Sequence, residues 1–269
     1  MIVDFHSHTR ESDGALEPPE LVAMMRERGV EVFAISDHDS LGAYGTFDVP
    51  AGMRVIAGVE INTTYRDNDV HILGYGMRLD DQPFRAMLAT NRHQRAARME
   101  RMVMQLAAAG ITISADRVRA FSSTGGALGR PHVAMALIEA GYATDVNDAF
   151  ARYLHHGGIG YVPSTYVTPL QAMDAIRRAG GIAVLAHPGR LKDRTIMDEL
   201  AQSGLDGVEV FYPKHDAADV AEFRAFAARF GLAMSAGSDF HDLRYHPLGV
   251  GREVDPNDIA AFLRLLGDR

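Results

Sequence analysis

The sequence contains no cysteine, which excludes disulfide bonds and thiolate metal sites. It has no run of 18 apolar residues, so no transmembrane helix is expected. The N-terminus enters a strand-like segment without a basic-then-apolar leader, and together these absences favour the cytoplasm. An excess of positive charge is also missing, since the formal net charge is −8. Proteins that grip extended duplexes carry a basic surface, so duplex DNA is not an expected partner, whereas a small phosphorylated substrate or a short RNA is compatible. Lysine is scarce, with two (Lys192 and Lys214) among 27 basic residues. No P-loop and no Ser-His-Asp arrangement is present, which removes the NTPase and covalent serine routes. No internal repeat, membrane-binding segment or obligate protein-partner motif stands out.

What is present is ordinary in bulk. With 269 residues, 47% apolar and 23% charged, the chain fits one large α/β domain or one domain with an insertion. Short apolar runs at 2–5, 32–36, 55–59, 70–73, 182–186, 207–212 and 233–236 read as strands covered on both faces. Helical patterns separate several of them, near 18–28, 169–180, 194–203, 216–230 and 256–266. Strand–helix alternation predicts a parallel sheet, and ligand-type residues at many strand ends favour a closed barrel over an open doubly wound sheet.

The pattern changes between about 78 and 161, where helices are expected over 82–109, 131–141 and 145–154 and no strand is evident. Met99, Met102, Val103 and Leu106 form a core stripe there. Arg92, Arg95, Arg98 and Arg101 recur every third residue, which spreads them around half the helix and reads as a solvated face. The expected organisation is a barrel from 1–79 and 162–269 interrupted by a helical insertion, 80–161, over its C-terminal face.

The functional signal lies at the strand ends. His6-Ser7-His8 with Asp13, Asp37-His38-Asp39, Glu60, His71, His187-Pro188 and Asp239-Phe240-His241 each follow or close an apolar run. His6 and His8 point the same way on an extended segment. Any one of these has a bland explanation: Asp13 before Gly14 suits a turn, and His71 between Val70 and Ile72 suits a hydrogen-bonded core imidazole. Glu60 and Asp239 resist that explanation, because a carboxylate ending an apolar strand is costly unless paired or metal-bound. Six of the twelve histidines fall at these positions, and imidazole with carboxylate suits divalent cations. Nine such donors (His6, His8, Asp13, His38, Glu60, His71, His187, Asp239 and His241) are enough for two or three ions.

Taken in order, H-x-H-x4-D, S-D-H-D, G-x-E-I, H-I-L-G-Y, A-H-P-G and G-S-D-x-H resemble the PHP (polymerase and histidinol phosphatase) family of metal-dependent phosphoesterases across nearly the whole chain. The resemblance implies a distorted (β/α)7 TIM-like barrel with two to three divalent ions, manganese first, with zinc or iron as alternatives. It implies that His6, His8, Glu60 and Asp239 hold one ion, that Glu60 bridges to a second held by His71 and His187, and that Asp13, His38 and His241 hold a third. The insertion with G-R-P-H and the Y-V-P-S run is similar to the TrpH-like branch, which implies removal of the 3′-phosphate from nucleoside 3′,5′-bisphosphates.

Phosphate binding has its own candidates. Gly125 to Gly129 lead into Arg130-Pro131-His132, a glycine-rich loop feeding a helix, and helix N-termini attract anions. Arg130 offers a bidentate contact and His132 a further donor, with Lys214 and Arg190 as additional clamps near strand ends. Tyr161 and Tyr166 are offered as base-stacking or packing residues. The chemistry expected is attack on phosphorus by a hydroxide bridging two ions, with Asp239 central to it and His132 or His187 assisting the leaving oxygen. The rivals are a 5′-to-3′ exoribonuclease or phosphodiesterase on short RNA, a histidinol phosphate phosphatase, and a non-enzymatic metal- or phosphate-binding module.

Overall fold

The computed structural model describes residues 1–66, 68–122, 127–244 and 246–267, and shows a mixed α/β fold. Strand β1 (Ile2–Asp4) is followed by helix α1 (Pro18–Glu27), then by β2 (Val32–Phe33), β3 (Arg54–Val55), β4 (Gly58–Tyr65) and β5 (Asn68–Tyr75). Four helices come next: α2 (Gln82–Ala108), α3 (Ala115–Arg119), α4 (Arg130–Glu139) and α5 (Val146–Ala149), the last continued by a π-helical turn over Phe150–Leu154. The chain then runs through α6 (Pro169–Arg178), β6 (Ile182–Leu185), α7 (Thr195–Gln202), β7 (Gly207–Phe211), α8 (Ala217–Phe230), β8 (Ala233–Ala236), β9 (Arg252–Glu253) and α9 (Pro256–Leu266).

Local chemistry sets these boundaries. Asp81 caps α2 by accepting from the Phe84 N–H, and Asp216 caps α8 through the N–H groups of Ala218 and Asp219. Gly231 stops α8 in the left-handed conformation at φ 67°. Thr168 and Gln171 form a reciprocal capping box at α6.

The strands form two sheets, ordered β3-β2-β1-β9 and β4-β5-β6-β7-β8. Among the described residues there is no single closed barrel, which departs from the expectation. One reason is that β2 and β3 are only two residues long, so their ladders end before the chain reaches the ligand-bearing turns. Beyond those ends the sheets are linked by isolated parallel bridges, Ser7 to Phe240 and His38 to Glu60, and by single backbone hydrogen bonds such as Phe5 N–H to the Ala236 carbonyl at 3.0 Å. The other reason is that the run at 70–73 is part of a hairpin: β4 and β5 pair antiparallel over eight residues each, and β5 is antiparallel to β6. The pairs β1–β2, β2–β3, β6–β7 and β7–β8 are parallel as expected.

Three apolar clusters serve the sheets. Val59, Ile72, Val208 and Val210 pack under α6, α7 and α8; Phe5, Tyr75, Val184 and Phe262 form a second cluster; Leu21, Met25 and Phe33 join α1 to β2. A fourth belongs to the helical segment, where Met99, Met102, Val103 and Leu106 of α2 are buried with Val133, Leu137 and Leu154. The methionine stripe is therefore core, as its spacing predicts. Among the described residues, no helix is long and apolar enough to cross a membrane.

Candidate metal centre

The segment after β1 stays extended, so His6 and His8 project on one side into a space that Glu60 and Asp239 enter from β4 and from the turn after β8. His6 Nε2 lies 3.3 Å from Glu60 Oε2 and 3.4 Å from Asp239 Oδ1, and His8 Nε2 lies 3.2 and 3.3 Å from the same two oxygens. A cation held about 2.0–2.1 Å from four tetrahedral donors needs those donors roughly 3.3–3.4 Å apart. The spacing fits. His6 Nε2, His8 Nε2, Glu60 Oε2 and Asp13 Oδ1 are moreover buried without any hydrogen-bond partner. Orphaned buried donors of this kind are costly, and a shared cation removes the cost.

Glu60 faces a second group with its other oxygen: His71 Nδ1 is 2.6 Å and His187 Nε2 3.0 Å from Oε1. A third group centres on Asp13, with His241 Nε2 at 3.3 Å, His38 Nε2 at 3.6 Å and His8 Nδ1 at 3.8 Å. His38 also turns Nδ1 to Glu60 Oε2 at 3.0 Å, so His8 and His38 each face two groups. All nine side chains proposed from the sequence meet in this one cluster.

Electrostatics follow from the crowding. Burial alone would raise the Asp239 pKa, but His6, His241 and His8 hold it well below the carboxylate range. The same competition keeps Glu60 low, through His38, His71 and His6. Burial pushes His187 down to about 4 against the pull of Glu60. The backbone is strained here too: Asp39, His187 and Asp239 have φ of 51°, 27° and 52°. Such residues cost on the order of 1–3 kcal/mol each and persist where the surroundings over-determine them.

A layer of polar groups fixes the donors. Asp37 accepts from the Thr9 N–H at 2.8 Å, the Thr9 hydroxyl at 2.6 Å and the Ser12 hydroxyl at 2.6 Å, pinning the loop that carries His8 and Asp13. Asp4 accepts from the Ser238 N–H at 3.0 Å and hydroxyl at 2.7 Å beside Asp239. The Tyr212 hydroxyl donates to Asp239 Oδ2 at 3.0 Å, and Arg190 Nη1 lies 3.4 Å from the same oxygen.

The phosphate candidates are dispersed. Arg190 reaches the cluster through Asp239, with its side chain 54% exposed. Arg130 sits further out, Nη2 donating to Asp69 Oδ2 at 3.0 Å, while Ser164 holds the other Asp69 oxygen at 2.8 Å. Lys214 is exposed. His132 is buried with both ring nitrogens taken: Nδ1 accepts from the Gly129 N–H at 3.0 Å and Nε2 donates to the Ser12 carbonyl at 3.1 Å. These two hydrogen bonds brace α4 against the loop that carries Asp13. Gly125 and Gly126 of the glycine-rich stretch lie outside the described residues.

The reading of the α2 arginines as a solvated face holds for Arg101, which is exposed, and is corrected for the other three. Arg95 and Arg98 are buried, and Arg92 is half-buried. Arg95 Nε donates to Asp39 Oδ2 at 2.7 Å and Arg92 Nη1 to the Asp39 carbonyl at 2.7 Å. Arg98 Nε donates to the Val162 carbonyl at 2.7 Å. Tyr166 lies under the Arg95 and Arg98 guanidinium groups at 5.5 and 5.8 Å, and Tyr161 is 5.9 Å from Arg98, so both tyrosines engage these arginines. Their spacing gave no signal of this, because the partner, Asp39, comes from a loop more than fifty residues upstream. Glu209, buried in β7, also escaped notice, although a carboxylate inside Gly207-Val208-Glu209-Val210-Phe211 carries the same signal as Glu60.

Comparison with known proteins places this arrangement. The chain is 35% identical over 248 residues to a 3′,5′-nucleoside bisphosphate phosphatase from Chromobacterium violaceum, covering 89% of this chain and 87% of that protein. It is 34% identical over 258 residues to a 5′-3′ exoribonuclease from Escherichia coli, covering 90% and 85%. Among solved structures, an amidohydrolase from Chromobacterium violaceum with bound sulfate and no metal superposes with a TM-score of 0.88 at 32% identity, covering 98% of this chain and 95% of that one. A protein from Bifidobacterium adolescentis described as a metal-dependent phosphoesterase gives a TM-score of 0.85 at 30% identity, covering 97% and 95%. No family model matches the chain.

Proposed function

The chain belongs to the PHP family of metal-dependent phosphoesterases, and from that premise we propose that it removes the 3′-phosphate of nucleoside 3′,5′-bisphosphates, converting adenosine 3′,5′-bisphosphate to AMP and phosphate. The observation that carries the reading is the buried cluster in which His6 Nε2, His8 Nε2, Glu60 Oε2 and Asp13 Oδ1 crowd together without a hydrogen bond. Protein donors left bare inside a fold imply a cation, and the neutral-imidazole and carboxylate set suits manganese, with zinc or iron as alternatives. Two to three ions would be held: by His6, His8, Glu60 and Asp239; by Glu60, His71 and His187; and by Asp13, His38 and His241. When bound, divalent cations lower the pKa of water and offset charge on a phosphoryl group.

The chain's own residues supply the rest. Glu60 presents Oε2 to His8 and Oε1 to His71, so it would be shared between the first two ions. Arg190, beside Asp239 and open to solvent, is placed to contact phosphoryl oxygens as charge grows on them. Arg130, held by Asp69, and Lys214 are assigned to the more distant phosphate. His132 sets the loop carrying Asp13, and His187 keeps its ring on the cluster as a donor. We read the two sheets as the halves of a distorted barrel whose seams are the Ser7–Phe240 and His38–Glu60 bridges. Residues 80–161 act as its cap, anchored by the grip of α2 on Asp39.

A second reading, 5′-to-3′ exoribonuclease, is favoured by the comparable similarity to the enzyme from Escherichia coli. Product analysis separates them. ³¹P NMR of adenosine 3′,5′-bisphosphate turned over with Mn²⁺ should show AMP phosphorylated at the 5′ position, and retention of the 3′-phosphate rejects the proposal.

A further inference from the structure

We infer that Glu209 couples the two cation positions on either side of Glu60, so that they load as a unit; the inference rests on the metal reading above. Strand alternation sends Val208 and Val210 into the apolar cluster under the helices and Glu209 to the opposite face, toward the site. Its carboxylate is 0% exposed, in a strand otherwise apolar, and such burial is tolerated only when both oxygens are satisfied. They are satisfied by two different donors. Glu209 Oε1 lies 3.0 Å from His6 Nδ1 and Oε2 accepts the His187 backbone N–H at 2.8 Å.

A carboxylate only accepts, so His6 Nδ1 carries the proton and Nε2 keeps its lone pair toward Glu60 and Asp239. Through His6 Nε2, Glu209 addresses Glu60 Oε2 at 3.3 Å; through His187, whose Nε2 is 3.0 Å from Glu60 Oε1, it addresses the other oxygen. The contacts form a closed ring, Glu209–His6–Glu60–His187–Glu209. Gly237 makes room for it: a side chain there would come within 2.2 Å of His6 Cβ and 2.8 Å of Glu209 Oε1. Glu209 is therefore a positioning residue, reaching the cations only through the histidines. Seating one ion fixes Glu60 and, through the ring, preforms the other position.

The test is Mn²⁺ loading of the metal-free protein, read by electron paramagnetic resonance and equilibrium dialysis rather than by activity. Two Mn²⁺ ions bridged by one carboxylate are exchange-coupled and lose the six-line spectrum of an isolated ion. With one Mn²⁺ added per protein, the wild type should already show the coupled spectrum. Glu209→Gln cannot accept the His187 N–H with its amide nitrogen; it should show the isolated six-line signal and bind the pair about 10–100-fold more weakly. Glu209→Asp keeps the charge but not the reach and should behave likewise, which keeps the test valid should Glu209→Gln unfold. Melting curves of the metal-free variants separate lost coupling from lost folding. Wild-type affinity and a coupled spectrum in a folded Glu209 variant overturn the inference. A wild type that binds no Mn²⁺ overturns the metal reading itself.

Discussion

Arg95 Nε donates to Asp39 Oδ2 at 2.7 Å with both side chains buried, so the long helix α2 is tied to the residue that follows His38. Removing one member of a buried pair strands the other charge and typically costs about 3–5 kcal/mol. Arg95→Met should lower stability by that order, and the double variant Arg95→Met with Asp39→Asn should recover much of it. Urea unfolding of the two single variants and the double variant measures the coupling.

Asp239 offers Oδ1 to His6 and His8 and takes the Tyr212 hydroxyl on Oδ2. Asp239→Asn replaces an anionic donor with a neutral amide while preserving shape. Outer residues of metal sites typically cost 10–100-fold, so replacing Asp239, proposed as a direct ligand, should cost turnover more than about 100-fold. Steady-state phosphate release beside a thermal melt checks it, and a folded variant with retained activity contradicts the role.

Arg130 is poised rather than free, because Asp69 holds it. Arg130→Ala should raise KM for a bisphosphate about tenfold or more, the equivalent of one charge-assisted hydrogen bond of about 1.5–3 kcal/mol, with kcat largely kept. Asp69→Asn should move KM the other way by freeing the guanidinium. Initial-rate kinetics on both variants decide the assignment.

Burial holds the His132 pKa below the ordinary imidazole range, against the pull of Asp13. The unfolded chain therefore takes up a proton near pH 6.5 that the folded chain refuses until lower pH. The contribution of His132 to stability is full above that value and is lost as pH falls through the window beneath it. In metal-free protein, the destabilisation caused by His132→Asn should shrink between pH 7.5 and 5.5. A melting-temperature difference that stays constant over that range contradicts the neutral, doubly hydrogen-bonded imidazole.

The site was more legible than the fold. Glu60 and Asp239 stand out because a carboxylate set against an apolar run needs a reason to be there, and both enter the buried cluster. The same rule finds Glu209 too, because Glu209, like Glu60, is a carboxylate flanked by apolar residues inside a strand. The hairpin of β4 and β5 was missed because the polar run Thr63-Thr64-Tyr65 hides the extension of β4 beyond its apolar start. The arginines of α2 carry no local mark of burial: only Asp39, far upstream, explains Arg95. The backbone partners of His132 at Gly129 and Ser12 were equally invisible in the sequence, because Ser12 lies 120 residues upstream.

The most direct test of the account compares kcat/KM for adenosine 3′,5′-bisphosphate, a short 5′-phosphorylated RNA and histidinol phosphate, each with Mn²⁺ and with chelator. The account predicts metal-dependent release of phosphate from the bisphosphate with the highest kcat/KM of the three. Metal-dependent release of mononucleotides from RNA with no bisphosphate turnover contradicts the proposed substrate, and hydrolysis undiminished by chelator contradicts the metal centre.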